Sequence, residues 1–217
     1  MKNALSADKA AALVDDGATL MIGGFMGVGS PHRMIDALVG RGARDLTVIA
    51  NDTAQPGVGI GKLVTAGLIR RLIVSHIGLN PETQQKMISG EMNVELAPQG
   101  TLIERIRAGG MGLGGVLTRT GLGTPVAENK TVVPVDGVDY LLETPLRADF
   151  AFLAANEADY VGNLNYSLTA HNFNPIIALA ADTVIAEAQT IVPVGVIPPD
   201  GVKTPGVLVS HILEREA

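Results

Sequence analysis

The chain has 217 residues, enough for one α/β domain that buries about 70% of its unfolded surface, and we predict a single domain over residues 1–217. Charged residues make up 18% of the sequence and the formal net charge is −6, which argues against a nucleic-acid-binding protein. Cysteine is absent, which excludes disulfides, thiolate nucleophiles and iron–sulfur clusters.

The N-terminal segment MKNALSADKAAALVDDG has the pattern of an amphipathic helix and lacks the apolar core of a signal peptide. Apolar runs stay shorter than the ~20 residues of a membrane span. We therefore expect a cytoplasmic protein that does not contact membranes. Hydrophobic residues reach 47%, which indicates that a partner subunit covers part of the apolar surface.

Short apolar strands alternate with helical segments along the chain. Ser6 is expected to cap a first helix that runs toward Asp16 and ends at Gly17. Buried strands are predicted at TLMI, LTVIAN, RRLIVSHIG, EMNVELAP, DFAFLAAN and DTVIAEA.

Helix starts are predicted from capping residues. They are Ser30 with Pro31, Asn80 with Pro81, Thr101 with Glu104 as a capping box, and Asn174 with Pro175.

Two further segments lie between these elements. Residues 109–123 are rich in glycine and are expected to form a long ordered loop, whereas TVVPVDGVDYLLE predicts a β-hairpin that turns at Asp136 and Gly137. Together the pattern predicts a three-layer α/β fold: an open, mostly parallel sheet with helices on both faces, plus a β-hairpin.

The stretch GGFMGVGSP links a buried strand to a helix and contains four glycines in seven positions. Glycine admits positive φ and lets a ligand or another backbone come close. The loop ends at a helix N-terminus, whose free N–H groups suit an anion or an oxyanion. A plain strand-to-helix turn explains the same glycines without a ligand.

Ligands of open α/β sheets bind beyond the carboxyl ends of the strands. Four loops should meet there: residues 23–30, residues 51–61, the turn after Ser75, and residues 98–100. The candidate hydrogen-bonding groups of a site are Asn51 and Asp52, which come where the strand LTVIAN ends, and Gln99 in APQG. Each is explained equally well as part of a local turn.

Several other motifs do not point to a site. GMGLGG matches G-x-G-x-x-G but follows a helix, and GGFMGVGSP lacks the ending of a P-loop, so neither NAD nor ATP is indicated. The four histidines are scattered singly, so no metal site is predicted. Ser30 lacks the G-x-S-x-G elbow of a hydrolase nucleophile. The remaining candidate carboxylates form no obvious acid and base pair, and most of them are expected to be solvated: Glu91, Glu95, Glu104 and Glu143.

The stretch DGATLMIGGFMGVGSP resembles the signature of family I coenzyme A transferases, and within that family the α subunits of the acetate/acetoacetate type. The resemblance continues through NDTAQPGVGIG, SHIGLNPETQQKMISGEM, ELAPQGTLIERIRAGGMGLGG, LTRTGLGT, ETPLRADFA, GNLNYSLTAHNFNP and KTPGVLV, which is nearly the whole chain.

The resemblance implies a ping-pong exchange in which a glutamate attacks an acyl-CoA and becomes a glutamyl-CoA thioester, which an acceptor carboxylate then consumes. That glutamate belongs to the β half of the family, so no catalytic residue is expected in this chain. The implied partners are a β subunit, in an assembly of two α with two β, and an acyl-CoA with a short-chain carboxylate. Coenzyme A enters as substrate and product, and no tightly bound cofactor is expected.

Carried over by position, the resemblance assigns the coenzyme A loop to Gly24, Phe25, Met26, Gly27, Val28, Gly29 and Ser30. It assigns the acyl or carboxylate pocket to Asn51, Asp52 and Gln99. Asp52 departs in type, because the succinyl-CoA:3-oxoacid enzymes of the family have a second asparagine there. Neutral amides can hold a carboxylate oxygen without neutralising the partner's glutamate.

Two other classes of function stay open at this point. A small-anion sensor or a sugar-phosphate isomerase-like module can be built on a related α/β sheet. A stand-alone isomerase or hydrolase would need its own acid, base or nucleophile, and no such constellation stands out in the sequence.

Overall fold

The computed structural model describes residues 2–214. In these residues nine strands form one sheet with the order β1-β12-β11-β9-β2-β3-β4-β5, and β10 pairs with β9. All pairs are parallel except β9–β10. The strands are β1 Asn3–Leu5, β2 Thr19–Ile22, β3 Leu46–Ile49, β4 Ile69–Val74, β5 Asn93–Leu96, β9 Ala148–Asp159, β10 Leu164–Asn165, β11 Ala181–Val192 and β12 His211–Leu213.

Helices cover both faces of this sheet, as predicted. They are α1 Ala7–Ala11, α2 His32–Arg41, α3 Gly61–Thr65, α4 Pro81–Ser89, α5 Gln99–Gly110 and α6 Asn174–Ile177. Strand β2 shows why the sequence is apolar on both sides: Leu20 and Ile22 pack in the core under α1, α2 and α3, whereas Met21 packs in the core under α5 and α6. Nowhere in residues 2–214 is a helix both long enough and apolar enough to cross a bilayer.

A second, antiparallel sheet has the order β6-β8-β7, with β6 Val116–Thr118, β7 Val132–Val135 and β8 Val138–Glu143. The predicted hairpin is confirmed: Asp136 and Gly137 turn it with φ of 49° and 77°, the signs that a type I′ turn requires. The prediction of a loop over residues 109–123 is wrong where β6 lies. Three residues are too few for the alternation of apolar and polar side chains in a strand to be recognised. Strand β6 forms because β8 pairs with it.

Two helix starts are confirmed. The Ser6 hydroxyl accepts from the Lys9 amide at the start of α1, and the Asn80 side chain accepts from the Thr83 amide at the start of α4. Helix α1 is shorter than predicted, since it ends at Ala11.

Two capping predictions are wrong, and one further helix start is confirmed. Pro31 is the residue before α2, so Ser30 lies one position too early to cap it. Thr101 lies inside α5, and its buried hydroxyl has no hydrogen-bond partner among the described residues, so there is no capping box. The helix start predicted at Asn174 and Pro175 is confirmed: Asn174 is the first residue of α6, and its side chain bonds to the backbone of Ala154 and Gly29.

An ion network joins the small sheet to the main one. The Arg105 guanidinium on α5 donates to Glu95 Oε1 at 2.6 Å and to the Thr144 carbonyl at 2.9 Å. Glu143 is 2% exposed and accepts from Lys130 Nζ at 2.6 Å. Arg105 Nε lies 3.8 Å from the other Glu143 oxygen, Oε2. Glu143 is therefore an exception among the carboxylates that were mostly expected to be solvated: it is buried because two cations, Lys130 and Arg105, compensate it.

The network shifts the pKa of Glu95. Burial raises the pKa of its carboxyl, but hydrogen bonds and charge from Arg105 and Arg71 outweigh burial and hold that pKa below its usual value. A carboxyl with a lowered pKa stabilises the fold above its unfolded pKa, about 4.3, and this stabilisation is lost as the pH falls through the folded pKa.

We expect Glu95→Gln to lower the melting temperature by about 2 °C at neutral pH and to flatten the loss of stability on acidification. Thermal unfolding followed between pH 3 and pH 8 measures both effects. Glu104→Gln is the control, because Glu104 pairs with Arg107 at the surface. If the melting temperature of Glu95→Gln falls with decreasing pH in parallel with that of the unchanged protein, Glu95 does not contribute to the acid sensitivity of the fold.

Candidate functional site

The glycine-rich loop, residues 23–30, turns back on itself between β2 and α2. Phe25 and Val28 exchange two backbone hydrogen bonds of 2.9 Å, and between them Met26 and Gly27 have φ of 52° and 84°. This tight turn projects its tip away from the sheet, where Phe25, Met26 and Val28 are exposed.

The glycines of the loop are needed by the protein's own packing. Gly24 has φ of 116°, and a Cβ there would lie 2.2 Å from Ser30 Oγ. Gly29 has φ of 73°, and a Cβ there would lie 2.8 Å from the Cβ of Ala170. The atoms that come close to these glycines therefore belong to the protein itself. A larger residue at either position would change the shape of the loop, so a loss of activity would not by itself show that a ligand binds there.

Asp52 holds the tip of this loop. Its carboxylate is 5% exposed and accepts from the Met26 amide at 3.0 Å, from the Ala54 amide at 2.7 Å and from Asn51 Nδ2 at 3.0 Å. Met26 has left-handed φ, so the hydrogen bond from its amide fixes an otherwise unfavourable turn. Asp52 joins the loop after β2 to the loop after β3.

Asn51 is buried beside it. Its Oδ1 accepts from Ser75 Oγ at 3.2 Å, and its carbonyl accepts from the same hydroxyl at 2.8 Å. The ends of β3 and β4 are thus tied together, and three of the four predicted loops meet at one edge of the sheet.

Asn174 ties the other end of the glycine loop to the sheet. Its side chain is fully buried, donates to the Gly29 carbonyl at 2.9 Å and to the Ala170 carbonyl at 3.0 Å, and accepts from the Ala154 amide at 3.0 Å. A Cβ at Gly23 would lie 1.9 Å from its Oδ1, so this asparagine fits only beside a glycine.

The N-terminus of α2 is already occupied by a carboxylate. Glu187, on β11, accepts from the Arg33 amide at 3.3 Å and from the Met34 amide at 3.1 Å, and its Oε1 lies 3.6 Å from Arg33 Nε. The expectation of free N–H groups for an anion is therefore wrong at these two residues, because a distant strand supplies the anion that the helix dipole favours.

A cavity of about 820 Å³ opens beside this helix. Strands β9 and β11 run on together past the end of β2, as far as the pair Asp159 and Val192, and they form its floor. Its lining consists of small and polar residues from four segments: Gly27, Val28, Gly29, Ser30, His32, Arg33, Ala154, Ala155, Asn156, Ser167, Leu168, Ala170, Glu187, Ala188 and Gln189.

A smaller cavity of about 320 Å³ lies on the other side of the loop tip, lined by Phe25, Leu168, Thr169, His171 and Asn172. Gln99, the exposed first residue of α5, donates through Nε2 to Asn172 Oδ1 at 3.5 Å. The fourth predicted loop therefore reaches the same edge through Asn172.

The predicted site residues thus fall into two groups. Gly27 to Ser30 line the larger cavity and Phe25 lines the smaller one. The other predicted residues line neither cavity: Gly24 and Met26 lie in the loop itself, Asn51 and Asp52 position the loops, and Gln99 approaches from the rim.

Three residues of this site were not found by sequence reasoning: Asn174, Glu187 and Leu168. The NFNP stretch did single out Asn174, but as a helix start. Glu187 is a charged residue in an otherwise apolar strand, and this was the only sign in the sequence that it has a special role. The residues that it pairs with are more than 150 positions away.

The described residues contain no group of three or more His, Cys, Asp or Glu that could hold a metal ion.

Comparisons with known proteins agree with this geometry. A family profile described as "Coenzyme A transferase" matches residues 4–215. The acetate CoA-transferase subunit alpha of Escherichia coli strain K12 is 56% identical over 198 residues, which cover 91% of this chain and 90% of that protein. The acetoacetyl-CoA:acetate/butyrate CoA transferase alpha subunit of Clostridium acetobutylicum is 49% identical, covering 93% of each chain.

A solved structure shows the same fold in a longer chain. The acyl-CoA transferase YdiF of Escherichia coli O157:H7 superposes with a TM-score of 0.87 at 24% identity over 99% of this chain. The match covers 47% of that protein, so this chain spans about half the length of the transferase that it superposes on.

We expect Asn174→Ala to destabilise the fold by about 2–4 kcal/mol, because it removes three hydrogen bonds of a fully buried side chain and leaves two half-buried carbonyls and one half-buried amide without this partner. The melting temperature should fall by about 5–10 °C. Thermal unfolding measures the change, with Asn93→Ala, at an exposed position of β5, as the control. Equal melting temperatures for the two variants would show that Asn174 does not hold the loop.

Proposed function

The chain belongs to the coenzyme A transferase family, and we propose that it is the α subunit of a short-chain acyl-CoA:carboxylate coenzyme A transferase of the acetate/acetoacetate type. The two relatives described above are named as alpha subunits, and each matches this chain along nine tenths or more of its length. The half-length match to a longer acyl-CoA transferase supports a second half on another chain.

One observation supports the assignment of the nucleophile to the β subunit: the carboxylates near the cavities already accept hydrogen bonds from this chain. Among the described residues that line the two cavities, Glu187 has the only carboxylate, and both of its oxygens accept backbone amides. Asp52 behind the loop is held by three donors. A nucleophile must be free to attack, so the glutamate that forms the thioester comes from the β subunit.

This chain contributes the walls of the site. The exposed tip of the loop, Phe25 to Val28, contacts coenzyme A, which is substrate and product of the exchange and not a resident cofactor. Gln99 contacts the acyl or acceptor oxygen as a neutral amide, while Asn51 and Asp52 hold the loops behind it. The assembly contains two α with two β subunits in the cytoplasm.

The purified chain should transfer no coenzyme A from acetyl-CoA to acetoacetate, because the nucleophile is missing. Adding the β subunit should restore exchange, measured by the formation of acetoacetyl-CoA. A preparation without β subunit, verified by mass spectrometry, that still turns over would contradict the proposal.

Gln99→Ala should reduce turnover of the complex by roughly 10²-fold, because the amide stabilises oxygen charge that develops in the reaction. Gln99→Glu should be at least as damaging, since an ionised carboxylate cannot donate and repels the acceptor acid. The measurements are the exchange rate at saturating substrate and the melting temperature, which should change little.

The matched control is Gln85→Glu, which makes the same chemical change at an exposed position of α4 outside both cavities. Normal turnover of Gln99→Glu at neutral pH would remove Gln99 from the site.

A further inference from the structure

Leu168 is an unusual residue for its position. It is 87% exposed, and its φ of 50° lies in the left-handed region, which a bulky side chain rarely adopts. It belongs to the lining of both cavities and therefore lies between them. Strained residues that are neither buried nor paired concentrate at ligand sites, where the backbone is held for a contact made later.

The smaller cavity has an apolar side and a polar side. Leu168 and Phe25 supply apolar surface, and Asn172 supplies an amide that Gln99 reaches from the rim. No carboxylate is present among the five lining residues, so a bound anion meets no repulsion there. A short fatty acid or its acyl group has the matching shape, with a hydrocarbon chain at one end and oxygens at the other.

The size of the cavity also favours a small occupant. Its volume, about 320 Å³, is at the lower end of ligand pockets, which run from about 300 to 1,000 Å³. Leu168 is shared with the lining of the larger cavity, so a smaller side chain there would leave more room for an occupant of the smaller one.

Resting on the proposed function, we propose that the smaller cavity binds the hydrocarbon chain of the acyl donor or acceptor acid, and that Leu168 closes its end and so limits the chain length that is accepted. Phe25 forms the opposite apolar wall. The Asn172 amide and Gln99 face the oxygen end. Leu168 is thus a specificity-determining residue of the α subunit.

The kinetic test uses the complex with the β subunit and compares kcat/KM for acetate and hexanoate as acceptors. Leu168→Ala should raise the hexanoate-to-acetate ratio about tenfold, since a methylene that gains a place in an apolar pocket is worth that order of discrimination. Leu168→Phe should lower the ratio. The control, Val207→Ala, removes an equally exposed side chain, 88% exposed, that lines neither cavity.

Stability separates specificity from a structural role. Leu168→Gly should preserve or raise the melting temperature, because glycine adopts positive φ without strain, while changing the ratio as Leu168→Ala does. Ratios within twofold of the unchanged complex in both Leu168→Ala and Leu168→Phe would overturn the inference. The inference would also be overturned if Leu168→Ala bound the β subunit more weakly and left the hexanoate-to-acetate ratio unchanged. That result would make Leu168 a subunit contact.

A binding measurement distinguishes this inference from the proposed function. Butyrate titrated into the complex should shift the NMR signals of the Leu168 methyl groups, assigned by their loss in Leu168→Ala. Shifted methyls in a complex that exchanges no coenzyme A would support the cavity and refute the transferase. Unshifted methyls in a complex that does exchange coenzyme A with butyrate would overturn the cavity alone.

Discussion

The glycine loop has its shape because buried polar side chains from other parts of the chain satisfy its backbone. Asp52 takes the amide at the tip, and Asn174 takes the Gly29 carbonyl at the base while bonding to β9. Glu187 fixes the start of the helix that follows. These contacts lie 20 or more positions apart in sequence, so the loop takes this shape only once the sheet has assembled. A rigid loop is what a site needs if its groups are to be in place before substrate arrives.

The elements of the fold could be predicted from the sequence to a large extent. Strands such as β2 are apolar on both sides, and the Asp136–Gly137 turn has a local chemical cause, so both are visible in a short window. Strand β6 was not found, because its pairing with β8 determines it and its own sequence does not. Helix α6 begins at Asn174 as predicted, but it has only four residues.

The candidate site was harder to predict than the fold. Asn51, Asp52 and Gln99 were located at the correct edge because parallel strands end there together. Their contacts were not predictable: whether Asp52 faces a ligand or the Met26 amide depends on the loop after β2, and whether α2 has free amides depends on a glutamate on β11. The family resemblance supplied what local patterns could not, which is the expectation of a glutamate on another chain.

The central claim is that this chain forms the walls of a transferase site whose nucleophile lies on the β subunit. Intact-mass spectrometry of the complex after incubation with acetoacetyl-CoA tests it most directly. The account predicts a coenzyme A adduct on the β subunit and none on this chain. A coenzyme A adduct on a carboxylate of this chain would contradict it.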